Sequence, residues 1–132
     1  MLEFKKLKDG IEGVKISLFV EADEEVMRKS IELGVDAVEI HTGHYAHDYL
    51  ENGDISKHIK KFRSCFEIIE SSSLTYHAGH GLTLDSVIPL LQEHIFEEYN
   101  IGHWIIAQSI FEGMGPVIEK FNKVFSDYPI KK

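Results

Sequence analysis

The chain has 132 residues, of which 43% are hydrophobic and 27% are charged, so residues 1–132 are expected to form a single globular domain with its own core. Its formal net charge of -8 argues against nucleic acid and anionic membranes as partners, because both are bound mainly through Lys and Arg. No apolar run approaches the roughly 20 residues that span a bilayer, and the first residues lack the apolar centre of a signal peptide, so we expect a cytoplasmic protein.

The first part of the chain predicts a strand, a helix and a second strand. Residues 14–20 are mostly apolar and rich in β-branched side chains, which is typical of a buried strand. Asp23 is suited to cap the helix that follows, whose apolar stripe includes Ile31, and Gly34 is suited to end it. Residues 36–41 predict the second strand. Because one helix separates the two strands, we expect them to lie parallel in one sheet.

The middle of the chain predicts a second helix and a third strand. Residues 42–53 are interpreted as a polar connection without a helix of its own. The helix that follows is expected to begin at a cap formed by Asp54 or Ser56 and to run to about residue 71. Residues 74–78 predict the third strand.

The last part repeats the pattern. A helix capped by Thr83 or Asp85 is followed by a short strand at residues 99–101. After a break at residues 113–116, a final amphipathic helix is expected to bury a face that includes Ile118. Four βα units in succession predict an α/β fold with a parallel sheet, either half of a (β/α)₈ barrel or a small open sheet.

Gly-His pairs follow three of the predicted strands, at Gly43-His44, Gly79-His80 and Gly102-His103. The carboxyl edge of a parallel sheet is where α/β folds place their ligand sites, so we expect one site built by three strands. Between Ser64 and Glu119 there is no Lys or Arg. An anion bound in this segment would therefore be held by backbone N–H groups, helix N-termini and histidine.

The remaining histidines and the single cysteine are interpreted as structural or surface residues without a chemical role. His41, His44 and His47 repeat every three residues, which could suggest zinc, but the sequence places His41 on a strand and the others in a connection, with no accompanying HExxH or Cys-x-x-Cys motif. We predict no metal site, and we expect His44, His47 and His58 at the surface. Cys65 has the helical spacing of a core residue.

Four ordered strings of residues resemble a known family. They are Ile-Ser-Leu-Phe-Val at 16–20, Val-Glu-Ile-His-Thr-Gly at 38–43, Ala-Gly-His-Gly-Leu at 78–82, and Asn-Ile-Gly-His with Ile-Ile-Ala across 100–107. Together they resemble the carboxyl-terminal half of the pyridoxine 5′-phosphate synthase family. The resemblance implies a (β/α)₈ barrel of which only the last four βα units are present. It also implies condensation of 3-amino-2-oxopropyl phosphate with 1-deoxy-D-xylulose 5-phosphate, without a metal or organic cofactor.

The resemblance assigns roles to five residues. Glu39 is expected to stabilise cationic intermediates, and His80 is expected to donate a proton, which suits imidazole because it exchanges protons near neutral pH. Gly81, Gly102 and His103 are expected to bind the phosphate of the amino-oxopropyl substrate. Glycine lets a phosphate oxygen approach the backbone closely, and the start of a helix offers N–H groups.

The chain departs from the family's pattern at two places. His77 replaces an Asn, and the acidic stretch at residues 21–23 replaces a turn that contains Pro. The family's amino-terminal half, which supplies further catalytic residues, is expected to have no counterpart here. The alternatives are therefore a non-catalytic half barrel, a subunit that needs a complementary chain or a second copy of itself, or an unrelated phosphate-binding α/β module.

Overall fold

The protein is built around one parallel β-sheet. The computed structural model of the protein describes Lys6 and residues 10–130. Its four strands lie side by side in sequence order and all are parallel. They are β1 (Ser17–Val20), β2 (Ala37–His41), β3 (Thr75–Gly79) and β4 (Glu98–Asn100). The register aligns Phe19, Glu39, His77 and Glu98 in one row across the sheet.

Helices alternate with these strands. They are α1 (Glu24–Leu33), α2 (Gly43–Leu50), α3 (Ser56–Ile69), α4 (Val87–Glu93), α5 (His103–Glu112) and α6 (Met114–Asp127). The predicted α/β class and the four consecutive βα units are confirmed, and the arrangement is that of half a (β/α)₈ barrel. None of the helices in the described part of the chain combines the length and the apolar character needed to cross a membrane.

The ends of α1 follow the sequence signals. Asp23 Oδ1 accepts hydrogen bonds from the backbone N–H groups of Glu25 and Val26, at 2.9 and 3.1 Å. Gly34 ends the helix in the left-handed region, at φ 67°, and its N–H donates to the carbonyl of Ile31. Both predictions are confirmed, because a short acidic side chain satisfies free N–H groups and glycine tolerates positive φ.

One face of the sheet carries the core. Val38, Ile40, Tyr76 and Ala78 alternate along the two central strands and are buried. Tyr76 stacks on Phe96 with ring centroids 4.6 Å apart, and its hydroxyl donates to a backbone carbonyl of α3. The helices therefore cover this face, and apolar burial specifies the orientation of every strand.

Several parts of the sequence interpretation are wrong. The connection predicted at residues 42–53 contains α2, where Tyr45 is fully buried and donates to Ser86 O at 2.7 Å. Its polar and histidine-rich composition concealed the helix, which tertiary packing stabilises. Ile31 and Ile118, which we predicted on buried faces, are 37% and 39% exposed, whereas Met27 of α1 and Val117 of α6 are fully buried.

The opposite face of the sheet is open. Phe19, in β1, is 57% exposed on this side. Glu39, His41 and His77 project to this side, alternating with the buried residues of their strands. In a closed barrel the same face would be the interior, so polar side chains here mark the surface on which a site is built.

Candidate active site

Of the five residues assigned by resemblance, four lie just after the carboxyl ends of strands and one lies within a strand. Glu39 is in β2, and His80 and Gly81 come directly after β3. Gly102 precedes α5, and His103 is its first residue. The three strands predicted to build a site therefore end at the same edge.

Two residues hold Glu39 in place, and the sequence interpretation gave neither of them that role. Asn100 Nδ2 donates a hydrogen bond to Glu39 Oε2 at 2.9 Å, across the sheet from β4. A Cβ atom at Gly79 would lie 2.0 Å from Glu39 Oε1, so only glycine leaves room for the carboxylate there. The register, which pairs Gly79 with Asn100 beside β2, is the signal that could have identified both.

Thr42 fixes the backbone that presents His80. His80 has φ 80°, in the left-handed region that side chains other than glycine rarely adopt. Thr42 N donates to Gly79 O at 2.8 Å. Thr42 Oγ1, which is fully buried, lies 2.7 Å from Gly79 O and 2.8 Å from His80 O, so its hydroxyl hydrogen is shared between the two carbonyls. These contacts hold a strained residue at the functional edge.

A second imidazole lies against the ring of His80. The ring centroids of His41 and His80 are 4.5 Å apart, with the planes tilted by 40°. His41 Nδ1 is 2.9 Å from Glu21 Oε1 but is not aligned for a hydrogen bond, so the attraction between them is electrostatic. A Cβ atom at Gly43 would come within 3.0 Å of both rings. Sequence reasoning placed Gly43 in one of the three turns expected to build the site, but it gave no role there to Glu21 or His41.

The glycine turns are suited to an anion. Gly81 has φ 78°, and a Cβ atom there would lie 3.2 Å from Ala46 Cβ, so the loop approaches α2 closely. The first hydrogen bond of α5 runs from Ile106 N to Gly102 O, and no side chain caps this helix. The N–H groups of residues 103–105 are therefore available at the carboxyl edge, beside the exposed His103.

The contacts define two groups of residues and leave one residue separate. Hydrogen bonds and ring contacts within the described residues connect Glu39 with Asn100 and His80 with His41, whereas the side chain of His103 takes part in none of these contacts. No three His, Cys, Asp or Glu side chains of the described residues converge in a way that could hold a metal ion.

The predicted surface positions of the other histidines are correct in two cases. His44 and His47 are exposed on α2. The expectation for His58 is wrong, because its side chain is only 17% exposed and its Nε2 lies 2.8 Å from Asp48 Oδ2. This pair joins α2 to α3, and the sequence did not show it because α2 itself was missed.

Comparison with known proteins agrees with the resemblance. The model of the family described as "Pyridoxal phosphate biosynthesis protein PdxJ" matches residues 4–127. A pyridoxine 5′-phosphate synthase of Sulfurihydrogenibium sp. (strain YO3AOP1) is 36% identical over 86% of this chain and 46% of that protein. The corresponding protein of Gluconobacter oxydans (strain 621H) is 36% identical over 92% of this chain and 49% of that protein. That of Trichlorobacter lovleyi (strain ATCC BAA-1151 / DSM 17278 / SZ) is 38% identical over 82% of this chain and 45% of that protein.

The extent of the match has two consequences. The chain spans about half the length of the curated relatives it matches. The matched residues include both the group around Glu39 and the group around His80. A family model that covers nearly the whole described sequence places this chain among the pyridoxal phosphate biosynthesis proteins of the PdxJ family.

Proposed function

We propose that this chain forms the carboxyl-terminal part of a pyridoxine 5′-phosphate synthase site, which condenses 3-amino-2-oxopropyl phosphate with 1-deoxy-D-xylulose 5-phosphate. The observation that supports this proposal best is a carboxylate, Glu39, that is fixed by Asn100 within β2, together with an imidazole, His80, that packs against His41 directly after the neighbouring strand β3. An acid–base pair at the carboxyl edge of a parallel sheet suits a multistep condensation.

In the proposed chemistry, His80 gives a proton to the oxygen that leaves during imine formation and dehydration. The Glu39 carboxylate stabilises the cationic intermediates, and its fixed position costs no reorganisation during the reaction. Gly81, Gly102 and His103 hold the phosphate of the amino-oxopropyl substrate through backbone N–H groups and the start of α5. These steps use only acid–base groups and phosphorylated small molecules.

The open face favours a complementary half barrel over a second identical copy as its partner. Glu39 and Glu98 lie in the same row of this face, and Glu21 lies at its edge. Two identical faces would bring like charges together, which is unfavourable when they are desolvated. A non-catalytic half barrel is the second candidate, and the observation in its favour is the open face, where Phe19 is 57% exposed.

The experiment is to co-express the chain with the part of the Sulfurihydrogenibium relative that it does not match, and to measure pyridoxine 5′-phosphate formed from the two substrates. We expect product from the pair and a loss of turnover of about 100-fold or more with His80→Ala or Glu39→Gln. His47→Ala, an exposed histidine on α2, is the matched control. A stable pair that binds both substrates without forming product would contradict the proposal.

A further inference from the structure

We infer that Glu21, His41 and Gly43 together fix the imidazole ring of His80, with His41 as a positioning residue. This inference rests on the proposed function, in which His80 transfers a proton. Proton transfer requires the donor to lie within about 2.6–3.2 Å of its acceptor, so the direction of the ring matters.

The contacts form a continuous chain from the end of β1 to the loop after β3. Glu21 Oε1 lies 2.9 Å from His41 Nδ1, and the ring of His41 lies against that of His80. Phe19 adds an edge-to-face contact to His41, with ring centroids 5.2 Å apart. The side chain of His41 is 23% exposed, so its orientation is set by these neighbours more than by solvent.

Gly43 lies directly against both imidazole rings. A Cβ atom at this position would lie 2.9 Å from His41 Cε1 and 3.0 Å from His80 Cδ2. Gly43 does not have positive φ, so its backbone does not require glycine. The absence of a side chain at residue 43 is therefore explained by the two rings and not by the turn.

His80 needs such support because its own position offers little. It is exposed, and no hydrogen bond of the described residues reaches its ring. An unsupported imidazole on a loop would occupy several rotamers, and each unproductive rotamer reduces the fraction of molecules ready to react. The negative charge of Glu21 also favours the His41 tautomer that carries a hydrogen on Nδ1.

The Glu21 contact belongs to the part of the chain that departs from the family's pattern. The acidic stretch at residues 21–23 stands where the family has a turn with Pro. The imidazole pair is therefore anchored here by a carboxylate that the resemblance does not predict.

The test is proton and carbon NMR of the histidine rings in the full chain, with His80 assigned by His80→Gln. We expect the His80 signals of the wild type to be displaced by ring currents, and to move toward those of the exposed His47 in Gly43→Ala and His41→Ala. His41→Phe, which keeps an aromatic ring, should retain most of the displacement. Gly115→Ala is the matched control, since it also lies at a helix start but would meet nothing within 4 Å.

A second comparison isolates the carboxylate. Glu21→Gln should broaden or shift the His41 signals, whereas Glu25→Gln, an exposed carboxylate on α1, should leave them unchanged. Unaltered His80 signals in folded Gly43→Ala and His41→Ala would overturn the inference.

The functional arm uses the co-expressed pair. His41→Ala should lower kcat about 10-fold with KM changed less than about 2-fold, and His41→Phe should recover part of the loss. Wild-type turnover in His41→Ala would overturn the positioning role. If even the wild-type pair forms no product, the proposed function fails, while the NMR comparison still decides whether His41 and Gly43 fix the ring.

Discussion

The two faces of the sheet use the same four strands for different purposes. On the packed face, apolar side chains such as Val38 and Tyr76 are fully buried beneath the helices. On the open face, polar side chains such as Glu39 and His41 are held by single hydrogen bonds, ring contacts and the absence of a Cβ atom. Alternate residues of each strand therefore serve different purposes: one set stabilises the fold, and the other set lines the candidate site.

This separation means that substitutions on the two faces should have different consequences. Removing a buried aromatic group leaves a cavity, and the loss of stability grows with the volume of that cavity. Removing an open-face group changes little buried area but alters where a reactive group points. Matched substitutions on the two faces can therefore test whether stability and site geometry are independent.

Tyr76→Ala should have the largest effect. Tyr76 is fully buried, stacks on Phe96 and donates a hydrogen bond to Phe62 O at 3.1 Å. We expect a loss of about 3–5 kcal/mol in the free energy of unfolding, measured by urea denaturation. Phe19→Ala, on the open face, should lose less than about 1 kcal/mol because Phe19 is 57% exposed. Equal losses would show that the open face is covered by something else in solution.

Gly79→Ala should affect both faces, because Gly79 is a buried strand residue beneath an open-face carboxylate. A Cβ atom there would overlap Glu39 Oε1, so either the strand or the carboxylate must move. We expect about 1–3 kcal/mol of destabilisation, together with loss of turnover in the co-expressed pair. Denaturation and the product assay measure the two effects. Gly115→Ala is the control, and full turnover in Gly79→Ala would contradict the position assigned to Glu39.

The reactivity of Cys65 tests how tightly the packed face is closed, and it requires no substitution. Burial raises the pKa of its thiol to about 11, because the thiolate is disfavoured away from water. At pH 8 the thiolate fraction should be about 100-fold lower than in the unfolded chain, so alkylation by iodoacetamide should be slower by at least that factor. Mass spectrometry of timed samples measures the rate. Alkylation at the unfolded rate would mean that the helices over the sheet open readily.

The sequence was sufficient to predict most elements of the packed face. Apolar runs, Asp23 and Gly34 identified the four strands, the first helix and the parallel order, because these features depend on local propensity and burial. It failed at α2, whose residues have no clear apolar period and become helical because Tyr45 inserts into the core. Tertiary packing decided that segment, and no local pattern reports such packing.

For the candidate site, the sequence predicted the edge of the sheet and the resemblance predicted the residues. The roles given to Glu39 and His80 remain predictions. The supporting residues were not found because each acts across strands: Asn100 reaches Glu39 from β4, and Thr42 reaches the carbonyl of His80. The two residues of the first contact are 61 positions apart in sequence, and those of the second are 38 apart. Predicting such contacts requires the strand register, which one sequence does not provide.

The smallest effect is expected at the junction of α2 and α3. Asp48 Oδ2 lies 2.8 Å from Lys57 Nζ and from His58 Nε2, and hydrogen bonds from these two side chains lower the pKa of Asp48 to about 2. A lowered pKa means that the contribution to stability is present above the pKa of the unfolded state, about 4, and is lost as the pH falls toward 2. Asp48→Asn should therefore reduce stability slightly at pH 6 and flatten its dependence between about pH 4 and 2, as followed by urea denaturation at each pH. Asp85→Asn, an exposed aspartate, is the control. Asp48 and Lys57 are both accessible to solvent, so added salt should reduce the difference in stability between wild type and Asp48→Asn. A difference in stability that persists at high salt would mean that a buried interaction holds α2 at this junction instead.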